Sequence, residues 1–89
     1  MTHYDIHIYG KVQGVFYRAN AMRIANELGV LGWVKNEEDG SVLVAAEGAK
    51  DKLEKLVQWC KQGPSYANVQ QVIYSEGPVK NFKGFRIIR

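Results

Sequence analysis

Residues 3–9 alternate, with Tyr4, Ile6 and Ile8 on one side and His3, Asp5, His7 and Tyr9 on the other. A period of two predicts a strand with one buried face. From Tyr17 the period changes. Tyr17, Ala21, Ile24, Ala25 and Leu28 recur at helical spacing, Asn20 and Arg23 fall off that stripe, and Gly29 follows as a left-handed stop. A helix is predicted over residues 17–28.

Residues 30–36 form a short, largely apolar run around Trp33. Glu37-Glu38-Asp39-Gly40 interrupts it, and a second apolar run covers residues 41–47. An Asp-Gly pair between two such runs is a hairpin signal. Residues 49–62 place Leu53, Leu56, Val57 and Cys60 on one face and charged residues elsewhere. That predicts a surface helix, ended by Gly63 and Pro64. Residues 69–75 read as a strand in which Gln70-Gln71 breaks the alternation, as a bulge does. Residues 77–84 read as a loop and residues 85–88 as a last short strand.

The order β-α-β-β-α-β, with a further short strand, matches the split βαβ arrangement. The predicted fold class is α+β: a ferredoxin-like sandwich with an antiparallel sheet of four to five strands and two helices on one face. In such a unit the first and second strands run parallel with the third between them, and the crossover is right-handed. Their C-terminal ends then share one edge of the sheet. The loop after Tyr9 and the residues around Asn36 are expected to be neighbours.

Composition narrows the class. A chain of 89 residues, 46% of them hydrophobic, predicts one domain over residues 1–89. No apolar run approaches the ~20 residues of a membrane span. The first residues carry a strand pattern instead of a basic segment followed by an apolar one, so neither export nor membrane attachment is expected. The lone Cys60 allows no internal disulfide, and the cytoplasm is the expected location. A net charge of +3 steers a small anion but falls short of the footprint of a nucleic-acid binder.

Most chemistry-bearing side chains have a plain structural reading. Glu37, Glu38 and Asp39 suit a solvated hairpin tip. His3 and His7 share a strand face roughly 13 Å apart, too far for one metal ion, and are expected at the surface or partly buried. Cys60 lies on an apolar stripe and reads as an inert core thiol. KGFRII, residues 83–88, begins like an RNA-recognition signature but lacks its second aromatic pair and stands at the wrong strand. No Ser-His-Asp, Cys-His or Walker-type pattern is present.

The exception is GKVQGVFYR, residues 10–18, which joins the first strand to the first helix. Its two glycines permit positive φ and close approach of backbone N–H groups to a ligand. Such a run, leading into a helix N-terminus, favours an anion. Arg18 falls on the first helical turn, where its planar fork binds a phosphate at two points.

A lone arginine and a lone amide suit one phosphoryl chemistry better than others. In an acyl phosphate the leaving group is a carboxylate, with a pKa near ~4.3, that departs at neutral pH without a proton. Transfer then needs positioning and charge stabilisation in a loose transition state. Backbone N–H groups and Arg18 hold the phosphoryl oxygens, Asn36 orients the attacking water, and the phosphate itself accepts the water's proton.

GKVQGVFYR also resembles the first signature of acylphosphatases, and GWVKNEEDGSVLVAAEG, residues 32–48, resembles the second. GPSYANVQQV, residues 63–72, is similar to the family's post-helix segment, and Phe85-Arg86-Ile87 to its final strand. The resemblance spans essentially the whole chain. It implies a ferredoxin-like sandwich and a small cytoplasmic enzyme that hydrolyses acyl phosphates without metal or cofactor. It implies phosphate binding by Gln13, Gly14, Val15, Phe16, Tyr17 and Arg18, with Arg18 and Asn36 catalytic. The expected partner is a small-molecule acyl phosphate, with no nucleic acid and no membrane, and the expected state is a monomer. Three positions depart from the pattern: Tyr17 replaces a more usual Phe, Phe16 stands where small residues are common, and Ser65 where a second proline is frequent. A catalytically idle anion-binding domain and an RNA-binding module of the same fold are the alternatives.

Overall fold

The computed structural model describes all residues, Met1–Arg89. Strand β1 (Thr2–Lys11) leads to helix α1 (Tyr17–Leu28), β2 (Leu31–Asn36), β3 (Val42–Gly48), helix α2 (Lys50–Gln62), β4 (Asn68–Gly77) and β5 (Phe85–Ile88). The five strands form one sheet in the order β4-β1-β3-β2-β5. β3 pairs antiparallel with both β1 and β2, so those two run parallel on either side of it, as the topology predicts. The sheet is not antiparallel throughout. β5 lies parallel to β2, because the chain crosses the sheet from the β4 edge and returns in the direction of β2.

Side-chain alternation sorts the two faces. Ile6, Val44 and Val34 sit side by side on three adjacent strands. All three are fully buried, in one core with Tyr17, Ala21 and Ala25 of α1 and Leu53, Leu56, Val57 and Cys60 of α2. Ile8, Val42 and Asn36 form the next row of that same face. Asn36 therefore sits on the helix side, at the C-terminal end of β2.

The other face is crossed by residues 78–84, which connect the two edge strands. This crossing buries His3 and Glu47, neighbours in the β1–β3 register. His3 Nδ1 lies 2.7 Å from Glu47 Oε2 and its Nε2 lies 3.0 Å from Asp5 Oδ1. Glu47 accepts bonds from the Lys80 and Phe82 N–H groups, and the Phe82 ring lies 5.9 Å from the His3 ring. Period-two reasoning expects His3 at or near the surface; the crossing segment removes it from water. Burial raises the Glu47 carboxyl pKa, but the Lys80 N–H, His3 and the Phe82 N–H outweigh it and hold the group below its ordinary value.

The predicted bulge is present. Tyr9 pairs with Gln71 and Gly10 with Val69, which leaves Gln70 as the extra residue of β4. β1 runs on to Lys11, beyond the predicted end at Tyr9, and Gly10 therefore belongs to the sheet. A Cβ at Gly10 would stand 2.2 Å from the Asn68 carbonyl oxygen. The bulge, and not a ligand, demands that glycine.

Candidate active site

Between β1 and α1 the chain makes a loop over residues 12–16. Val12 and Val15 are buried and anchor the loop in the core. The Gln13 amide nitrogen donates to the Glu37 and Ser41 carbonyls at 2.8 and 2.9 Å. That side chain ties the loop to the β2–β3 hairpin and is turned away from any ligand. Tyr17 is buried too, and its hydroxyl donates to the Cys60 carbonyl at 2.7 Å. Burial pushes the Tyr17 phenol well above its ordinary range and the Cys60 thiol up to about 12. Neither titrates near neutrality. For Gln13, Val15 and Tyr17, the group free to meet a ligand is the backbone N–H.

Those N–H groups are unoccupied. None of them from Gln13 to Arg18 donates a hydrogen bond within the protein. α1 has no side-chain N-cap and no acidic residue in its first turn, whereas α2 carries Asp51 there. An uncapped helix start with free donors is a site for negative charge. Gly14 turns the loop at φ 73°, with open space where a Cβ would be. Phe16 holds the left-handed region at φ 64° and ψ 24°, a conformation that costs a residue with a side chain roughly 1 kcal/mol.

The loop meets β2 at a pocket of about 320 Å³, lined among others by Gly14, Phe16, Arg18 and Asn36. Arg18 is partly buried and pairs with no carboxylate. The Asn36 side-chain oxygen, Oδ1, is buried without a hydrogen-bond partner. Buried polar atoms are nearly always satisfied, so this acceptor is open to a partner from outside the protein. Arg18 and Asn36 thus line one pocket. Ile87 and Arg89 also line it and were invisible in the sequence. Ile87 shares a face of β5 with Phe85 and Arg89 follows the strand's end, but only the β2–β5 pairing carries them to the pocket.

The remaining candidates keep their structural readings. Asp39 accepts from the Ser41 hydroxyl and N–H, and these bonds hold its carboxyl below the ordinary range. No cluster of three or more His, Cys, Asp or Glu side chains is placed to hold a metal ion. Residues 85–88 form the edge strand β5, where the bases of a single strand would find no central stacking platform.

Sheet order and helices define a ferredoxin-like α+β protein with a loop of free N–H groups at one end of its sheet. The family model for acylphosphatase matches residues 4–87. An acylphosphatase of a Roseiflexus species is 45% identical over 89 residues, covering 99% of this chain and 96% of that protein. The crystal structure of acylphosphatase from Bacillus subtilis superposes with a TM-score of 0.97 at 32% identity, covering all of both chains. The structure of an acylphosphatase from Coxiella burnetii gives 0.95 at 38% identity, covering 98% of this chain and 92% of that one. The chain belongs to the acylphosphatase family.

Proposed function

We propose that this enzyme's hydrolysis of acyl phosphates, to a carboxylate and inorganic phosphate, runs in the pocket between the Gln13–Arg18 loop and Asn36. The free N–H groups of Gln13, Gly14, Val15, Phe16, Tyr17 and Arg18 and the Arg18 fork hold the phosphoryl oxygens. Asn36 accepts a hydrogen bond from a water through Oδ1 and orients it for in-line attack on phosphorus. The P–O bond to the acyl group breaks, the carboxylate leaves as an anion, and a phosphoryl oxygen takes the water's proton. No protein base is required, because the leaving group needs no proton. The observation that carries this reading is the orphaned Asn36 oxygen in the pocket that Arg18 also lines.

Asn36→Ala tests it. kcat is expected to fall roughly 10²–10³-fold, with the inhibition constant of inorganic phosphate within about threefold and the melting temperature unchanged. Full kcat with a lowered melting temperature would make Asn36 a turn residue of the hairpin.

The same reading covers partners and location. The substrate is a small molecule, and a net charge of +3 falls short of the footprint of a nucleic-acid binder. No helix is long and apolar enough to span a membrane. The free, buried Cys60 suits the reducing cytoplasm. A monomer suffices, since every group in the scheme comes from one chain.

A further inference from the structure

The cradle accounts for only the phosphoryl half of an acyl phosphate. Phe16 points to a place for the other half. Its ring is 71% exposed, and its backbone is held at a φ that glycine would adopt without strain. The buried core explains neither feature, since the ring takes no part in it. Strain of this kind collects at ligand sites. Phe16 also borders two cavities. One is the Arg18–Asn36 pocket; the other is a groove of about 590 Å³ along α1 and the segment after α2.

The groove is lined by polar side chains, Gln62 and Ser65 among them, and by aromatic side chains. Trp59 forms part of its wall, and Tyr66, 74% exposed, stands on it as a second solvent-facing ring. Its one cation, Arg23, is already bonded to Glu27 at 2.9 Å and to Asn20 at 3.3 Å. An acyl group bearing a carboxylate would have to compete for it. Besides the neutral polar Gln62 and Ser65, the groove offers two exposed aromatic faces, which pair with a further ring in stacked or edge-on geometry.

We propose that the acyl group lies across Phe16 in this groove, against the Phe16 and Tyr66 rings, and that the enzyme selects aromatic acyl phosphates. The proposal rests on the phosphoryl group occupying the cradle.

The test compares benzoyl phosphate with acetyl phosphate in the wild type, Tyr66→Ala, Phe16→Gly and Arg18→Ala. The two substrates differ in intrinsic reactivity, so the quantity to follow is the change in their kcat/KM ratio. Tyr66 is exposed, and its loss leaves the fold intact. Tyr66→Ala is expected to lower the benzoyl-to-acetyl ratio about fivefold, with acetyl phosphate turnover and phosphate inhibition within twofold of wild type. Phe16→Gly removes the second ring, and the ratio should fall at least as far. A ratio unchanged in both variants would overturn the groove as an acyl site and leave the cradle standing. Failure of the cradle has a separate signature: Arg18→Ala would retain turnover of both substrates and normal inhibition by phosphate.

Discussion

Two polar sites lie on opposite faces of one sheet and obey opposite rules. Under the 78–84 crossing, His3 and Glu47 are buried and fully partnered, by each other, by Asp5 and by two part-buried backbone N–H groups. In the pocket above α1, Arg18 has no counter-ion, Asn36 Oδ1 has no partner, and the loop N–H groups are idle. Complete pairing of buried polar groups holds a segment in place. Incomplete pairing is unfavourable unless something from outside completes it. The first site holds the fold together, and the second leaves donors and an acceptor unpaired within the protein.

The largest effect expected from breaking this contrast is on the paired side. Glu47→Ala strands His3 and the Lys80 and Phe82 N–H groups, at a cost of about 3 kcal/mol. For a domain of this size that lowers the melting temperature roughly 12–24 °C. Activity per folded molecule should stay within about twofold. A large loss of kcat with little loss of stability would make the two sites one coupled system.

Arg18→Lys is the converse. Lysine keeps the charge but loses the two-point contact, and kcat/KM is expected to fall about 100-fold, or ~2.7 kcal/mol. Thermal stability should not move, because Arg18 has no ion pair to lose. A variant within a few-fold of wild type would reduce Arg18 to a distant steering charge.

A smaller effect follows from pH. The Glu47 carboxyl is held below its ordinary value of 4.5 in the folded protein. Its contribution to stability is complete above that value and is lost as pH falls through the lowered folded pKa. Melting curves at descending pH should therefore show a loss below about pH 4.5 that is reduced in Glu47→Gln. An equal acid loss in both proteins would place the responsible carboxylate elsewhere. The smallest effect is none at all. EDTA should leave turnover unchanged, since no cluster of ligating side chains lies at the cradle. Activity restored by Mg²⁺ or Zn²⁺ after chelation would overturn the metal-free scheme.

Local pattern carried much of this protein. Alternation in residues 3–9, the helical stripe from Tyr17 and the Asp39-Gly40 turn depend on neighbours along the chain, and α1 begins and ends at its predicted residues. The position of Gly14 in the loop and of Arg18 in the first turn of α1 was legible for the same reason, since a loop feeding a helix start is a local motif. What needed tertiary structure were the properties set by distant partners. Gly10 reads as a cradle glycine until the β4 bulge is seen pressing on it. His3 reads as a surface residue until residues 78–84 cover it. Phe16 gives no sign of its strain, and Ile87 and Arg89 reach the pocket only through the parallel β5 pairing. The sequence by itself determined the elements, their order and the glycine-containing loop that feeds the start of α1. Tertiary structure alone decided which polar groups are satisfied, because each partner comes from a strand or segment far away in the chain.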